Sequence, residues 1–81
     1  MTKVLFFGQL REQIGSSELQ LPEHFATLGA LRNHLMAQFP HCQAMLAPGS
    51  ALGAVNQTIS DDQQALGVGD EIALFPPVTG G

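Results

Sequence analysis

The residues with the clearest capacity for chemistry are Gly80 and Gly81, which follow Pro76-Pro77-Val78-Thr79 at the end of the sequence. With Gly81 read as the terminus, the reactive group is its α-carboxylate. A carboxylate is a poor electrophile and is expected to need activation, most simply as an acyl-adenylate that another protein makes from ATP. A glycine carbonyl is unhindered for that step and for later attack by a sulfur nucleophile. The penultimate glycine has no Cβ and allows close backbone approach inside a narrow channel. Pro76 and Pro77 fix φ and favour an extended path, so residues 76–81 are expected to leave the domain as a stiff stalk. Six extended residues reach roughly 20 Å at most. A frayed end explains the same two glycines equally well on composition alone.

No other residue set makes a stronger claim. Cys42 is the single cysteine and reads as an inert, small hydrophobe rather than a sulfur nucleophile or persulfide carrier. His24, His34 and His41 have no paired ligand spacing, so no metal site is expected. Gly67-Val68-Gly69-Asp70 lacks the third glycine of a dinucleotide fingerprint and precedes a strand rather than a helix. Asp61, Asp62, Asp70 and Glu71 fall in expected loops and turns, where solvated charge needs no catalytic role. Nothing resembles a Ser-His-Asp set or a phosphate loop, so the chain lacks the equipment of a self-sufficient enzyme.

Eighty-one residues suit one domain. Charged residues are 12% and apolar residues 44%, too hydrophobic for disorder and too interrupted for a membrane span. The sparse charge leaves apolar surface for partners. Lys3, Arg11 and Arg32 are the only basic residues against a net charge of −4, which argues against nucleic-acid binding. A lone cysteine favours a reducing compartment, and Val4-Leu5-Phe6-Phe7 is too short for a signal-peptide core. A cytoplasmic location is expected.

The elements that must position the tail follow from periodicity. Lys3–Phe7 is a strand with Val4 and Phe6 on one face, Leu5 and Phe7 on the other. Gln9–Ile14 is a turn or short helical piece. Glu18–Leu21 alternates as a second strand, with Leu19 and Leu21 inward. Thr27 is the expected N-cap of a helix whose stripe is Leu28, Leu31, Leu35 and Phe39, with Arg32, Asn33 and Gln38 away from it. Pro40 ends it. A short helical turn is expected within His41–Ala47, strands at Ala51–Val55 and Gln57–Ser60, a solvated loop at Asp61–Gln64, and a last strand at Glu71–Phe75. One helix can cover only one face of a mixed five-stranded sheet. A parallel pairing of first and last strands uses the helix as its crossover. This order is the α+β, β-grasp or ubiquitin-like arrangement, with a domain at 1–75 and a protruding tail at 76–81. Leu5, Phe7, Ala73 and Phe75 then lie on the uncovered face near the tail's root, as a partner-binding surface would.

The ending Gly69-Asp70-Glu71-Ile72-Ala73-Leu74-Phe75-Pro76-Pro77-Val78-Thr79-Gly80-Gly81 resembles that of the small, sulfur-carrying subunit of molybdopterin synthase, the MoaD family. Lys3-Val4-Leu5-Phe6-Phe7-Gly8-Gln9-Leu10-Arg11-Glu12 and Ala54-Val55-Asn56-Gln57 are similar to it as well. Leu74 stands where a second Phe is common, and Gly67-Val68 where a Thr-Asp pair is frequent. The resemblance implies that an adenylating enzyme related to ubiquitin activators (MoeB-like) joins AMP to Gly81, and that a sulfur donor then forms a thiocarboxylate. It implies insertion of the loaded tail into a large synthase subunit (MoaE-like), in a heterotetramer, to build the dithiolene of molybdopterin from a cyclic pyranopterin precursor. No permanently bound cofactor is implied; ATP is consumed by the activating partner. Phe7, Ile59 and Phe75 are implied as the docking patch, with Arg11 as a polar contact, the stalk Pro76, Pro77, Val78 and Thr79 in the partner's channel, and Gly80 giving access. A carrier for thiazole synthesis and a ubiquitin-like protein modifier remain the alternatives.

Overall fold

The computed structural model describes residues 1–77. Its five strands are β1 (Thr2–Phe6), β2 (Glu18–Leu21), β3 (Leu52–Val55), β4 (Thr58–Ser60) and β5 (Glu71–Phe75). They form one sheet in the order β2-β1-β5-β3-β4. The two central strands, β1 and β5, run parallel, with Val4 beside Ile72 and Phe6 beside Leu74; the other three pairings are antiparallel. The expected mixed sheet is therefore present, and the parallel pair is joined through the helical part of the chain.

Helix α2 (Leu28–Gln38) covers one face. Its start is fixed where the sequence predicts it: the Ala30 N–H donates to Thr27 Oγ1 at 3.2 Å, a side-chain cap for one of the helix's unpaired donors. The Leu28 and Gly29 N–H groups donate to the carbonyls of Gln64 and Asp62, so the loop after β4 closes the same helix end. Pro40 stops the helix at Phe39 and opens a 3₁₀ turn at Pro40–Cys42, followed by α3 (Gln43–Leu46). Strand alternation then does what a covered sheet requires. Val4, Phe6, Ile72 and Leu74 are at most 1% exposed and meet Leu28, Leu31 and Leu35, which are fully buried.

One local expectation resolves and one changes. The stretch after β1 is a true helix, α1 (Gly8–Ile14), ended by Gly15 at φ 89, and it buries Leu10 within the core. Arg32 does not lie away from the apolar stripe: it is 4% exposed. Its Nη1 donates to the carbonyls of Leu46 and Ala51 at 2.6 and 3.0 Å, and its Nε and Nη2 both reach Asp62 Oδ1 at 3.0 Å. The loop expected to be solvated is thus tied to α2 through Asp62, and the guanidinium's Nε, Nη1 and Nη2 all meet acceptors, as burial of a charge demands.

Candidate functional site

The tail begins where the sheet's central pair ends. Phe7 continues the extended backbone of β1, and its N–H donates to the Leu74 carbonyl at 3.1 Å. One residue further, Gly8 turns the chain at φ 61, and Pro76 lies against it: a Cβ on Gly8 would come within 3.2 Å of Pro76 Cδ and Cγ. Pro76 is half-buried and Pro77 exposed. Pro76 is therefore seated on the β1–α1 corner. Val78, Thr79, Gly80 and Gly81 lie outside the described residues.

The uncovered face of the sheet leads to that base. Directly paired residues share a face, so the register of four strands can be read across it. Leu5 is beside Ala73, Ala73 is opposite Ala54, and Ala54 is opposite Ile59. One step nearer the tail, Phe75 is opposite Leu52, and Phe7 follows Leu5 by two residues. Phe7 is 47% and Ile59 69% exposed, while Leu5, Leu52, Ala73 and Phe75 are half-buried. The predicted patch of Phe7, Ile59 and Phe75 is thus a single surface, extended by Leu5 and Leu52. Parity had placed Phe7 and Phe75 on it; Ile59 joins because the two-residue turn at Asn56 and Gln57, both with positive φ, fixes the β3–β4 register.

The far corner of the same face is charged. Lys3 Nζ lies 3.5 Å from Glu71 and 3.8 Å from Glu18, all well exposed and so of small energetic weight. This gives the face a polarity: apolar towards the tail, ionic away from it. Arg11, the expected polar contact, is exposed on α1 and forms no ion pair among the described residues. It is available to a partner but is not held in place by its own fold.

The remaining nucleophile and ligand candidates lie elsewhere. Cys42 is fully buried, and burial raises its thiol pKa, which disfavours the thiolate. His34 packs on Phe25 at 4.9 Å between ring centroids and lies 3.9 Å from Glu23, whereas His41 Nε2 is 3.2 Å from the Gln13 carbonyl. Among the described residues no three His, Cys, Asp or Glu side chains gather as metal ligands would, and no helix is long and apolar enough to cross a membrane. Asp70 accepts hydrogen bonds from the Gly67 N–H at 2.7 Å and Asn56 Nδ2 at 2.9 Å. These hold its carboxyl below the usual carboxylate range, the Gly67 bond first. It pins the turn before β5 and lies apart from the apolar face.

Comparison with known proteins bears on this geometry. A model of the ThiS family matches residues 4–81. The chain is 47% identical to the molybdopterin synthase sulfur carrier subunit of Escherichia coli, and 48% identical to that of Haemophilus influenzae, each over the full length of both proteins. Among solved structures it is similar to SAMP1 from Haloferax volcanii, with a TM-score of 0.81 and 26% identity over 99% of this chain and 98% of that one. It is also similar to a chain in the protein–protein complex of subunits 1 and 2 of the molybdopterin-converting factor from Helicobacter pylori. That likeness has a TM-score of 0.69 and 28% identity over 99% of this chain and 97% of that one.

Proposed function

Because this β-grasp chain belongs to the ThiS family, we propose that it is the sulfur-carrier subunit of molybdopterin synthase, working through the carboxylate of Gly81. The observation that carries the reading is the full-length identity of 47–48% to two proteins of that name. The continuous apolar face running from Ile59 through Phe75 to the base of the stalk supports it.

In this proposal a Gly81 carboxylate oxygen attacks the α-phosphate of ATP on an adenylating partner, and pyrophosphate leaves. Hydrosulfide supplied by a donor then attacks the acyl carbon, AMP departs, and a thiocarboxylate remains. The apolar face docks on a large synthase subunit, in keeping with the two-subunit complex of the Helicobacter pylori relative. The stalk of Pro76, Pro77, Val78 and Thr79 delivers Gly81 to a cyclic pyranopterin monophosphate; two such transfers, each giving one sulfur and returning Gly81 to the carboxylate with an oxygen in its place, form the molybdopterin dithiolene. Gly80 keeps the channel passable. The carrier contributes position and cargo, and the partner completes the active site. A cytoplasmic, reducing setting belongs to the same proposal, as does a heterotetramer with two carriers.

The test is reconstitution with the large subunit, the adenylating enzyme, ATP, a sulfide source and the pterin precursor. Molybdopterin should form with the full chain and fail to form with a chain lacking Gly81. Equal product from both would overturn the proposal.

A second reading has one observation in its favour. SAMP1 is named a small archaeal modifier protein and shares the fold. A protein modifier would place Gly81 in an amide with lysine side chains, so branched Gly81–lysine peptides from cells would favour it over sulfur delivery.

A further inference from the structure

Beside the apolar face, where β3 begins and β4 ends, lies an open groove of about 530 Å³. Its lining includes Pro48, Leu52 and Ile59 together with Arg32, Asp61 and Asp62. Ile59 and Leu52 belong both to this groove and to the docking face, because Ile59 is opposite Ala54 and Leu52 is opposite Phe75. These two residues join the groove to that face.

The charge in the groove is not balanced. Arg32 is 4% exposed, and its donors are committed to Asp62 and to the carbonyls of Leu46 and Ala51. Its positive charge is matched by Asp62. Asp61 is exposed, and its Oδ1 accepts only the Gln63 N–H, at 2.9 Å, among the described residues. One uncompensated carboxylate thus lines the same groove as Leu52 and Ile59, on a chain of net charge −4.

We infer that the groove receives a lysine or arginine side chain of the same large subunit that accepts the tail, with the aliphatic stem along Leu52 and Ile59 and the cationic head at Asp61. The inference rests on the sulfur-carrier reading and adds a second point of recognition to it. Long basic side chains suit such a site, since their stems cover apolar surface while the head stays at the polar end. A charge pair at the rim of an interface acts chiefly on association and its salt dependence. The pair therefore selects the partner and sets the docking register without touching the sulfur chemistry.

The experiment is titration calorimetry of the full chain with the large subunit at two salt concentrations. Wild type is compared with D61N, which keeps a carbonyl for the Gln63 N–H, with D61K, and with E23K. Glu23 follows β2, at the opposite edge of the sheet. D61K should weaken binding about tenfold, and D61N should weaken it less. Both should bind with a flatter salt dependence than wild type. E23K should match wild type, and sulfur transfer within saturated complexes should keep the wild-type rate for all four chains. Wild-type affinity and salt dependence in both Asp61 variants would overturn the groove's role while leaving the carrier reading intact. An equal loss in E23K would also overturn it, by showing a general charge effect. No binding of the wild-type chain would defeat the carrier reading and the groove together.

Discussion

Ile59 sits directly opposite Ala54 across the β3–β4 hairpin, and this single pairing places a 69% exposed isoleucine on the face that carries Phe75. An exposed apolar side chain adds little to the fold, so its value lies in what covers it. Full burial of such a side chain contributes about 1.5–3 kcal/mol. Ile59→Ala should therefore weaken binding to the large subunit roughly ten- to a hundredfold. Its unfolding free energy should change by less than about 0.5 kcal/mol. Calorimetric titration and urea unfolding on the same samples separate the two effects.

Arg32 should behave in the opposite way. Its guanidinium joins α2, the end of α3, the start of β3 and the loop at Asp62. Arg32→Met leaves two buried carbonyls and a carboxylate without their donors, at a cost of about 2–4 kcal/mol. Asp62 is about one-third exposed, so water replaces part of its loss and Asp62→Asn should cost less, about 1 kcal/mol. Urea unfolding checks the order of the two.

Asp70 predicts a pH dependence. Its folded pKa is lowered, first by the Gly67 N–H and then by Asn56. The stabilisation is present above the unfolded pKa and is lost as pH falls through the folded value. Wild type should lose stability below about pH 4, the ordinary aspartate range. Asp70→Asn should start lower at neutral pH and fall less steeply. Thermal unfolding across pH 2–7, about that span, measures the difference in slope.

Cys42 should be a bystander. It is fully buried and its thiol pKa is raised, so iodoacetamide should label it slowly in the native chain and rapidly in urea. Cys42→Ala removes one buried atom, costing about 1 kcal/mol, and should leave sulfur loading of the chain unchanged. Loss of loading in that variant would point to a persulfide on the cysteine.

Much of this was legible in the residues. Alternation in Val4–Phe7 and Ile72–Phe75 separates core from outer face because a strand's side-chain period is two. Thr27 and Pro40 bracket α2 because one side chain supplies an acceptor and the other forbids further helix. Other features needed three dimensions. Leu10 and Ile14 have helical spacing, but a polar setting masks a pair that short. Arg32 follows Leu28 by four residues and so flanks the stripe; its burial depends on Asp62, thirty positions later, and on two carbonyls that no pattern reveals. Ile59 could have been placed by counting register through a two-residue turn at Asn56-Gln57, had the hairpin been recognised. The expected tail residues Val78, Thr79, Gly80 and Gly81 fall outside the described residues, so their part rests on chemistry and family.

The central claim is that Gly81 carries the sulfur, and intact-mass spectrometry tests it most directly. After incubation with the adenylating enzyme, ATP and a sulfide source, the chain should gain the mass difference of one oxygen replaced by sulfur. Fragmentation should place that change on Gly81, and it should vanish on exposure to the large subunit and the pterin precursor. An unchanged mass, or sulfur found on Cys42 instead, would contradict the account.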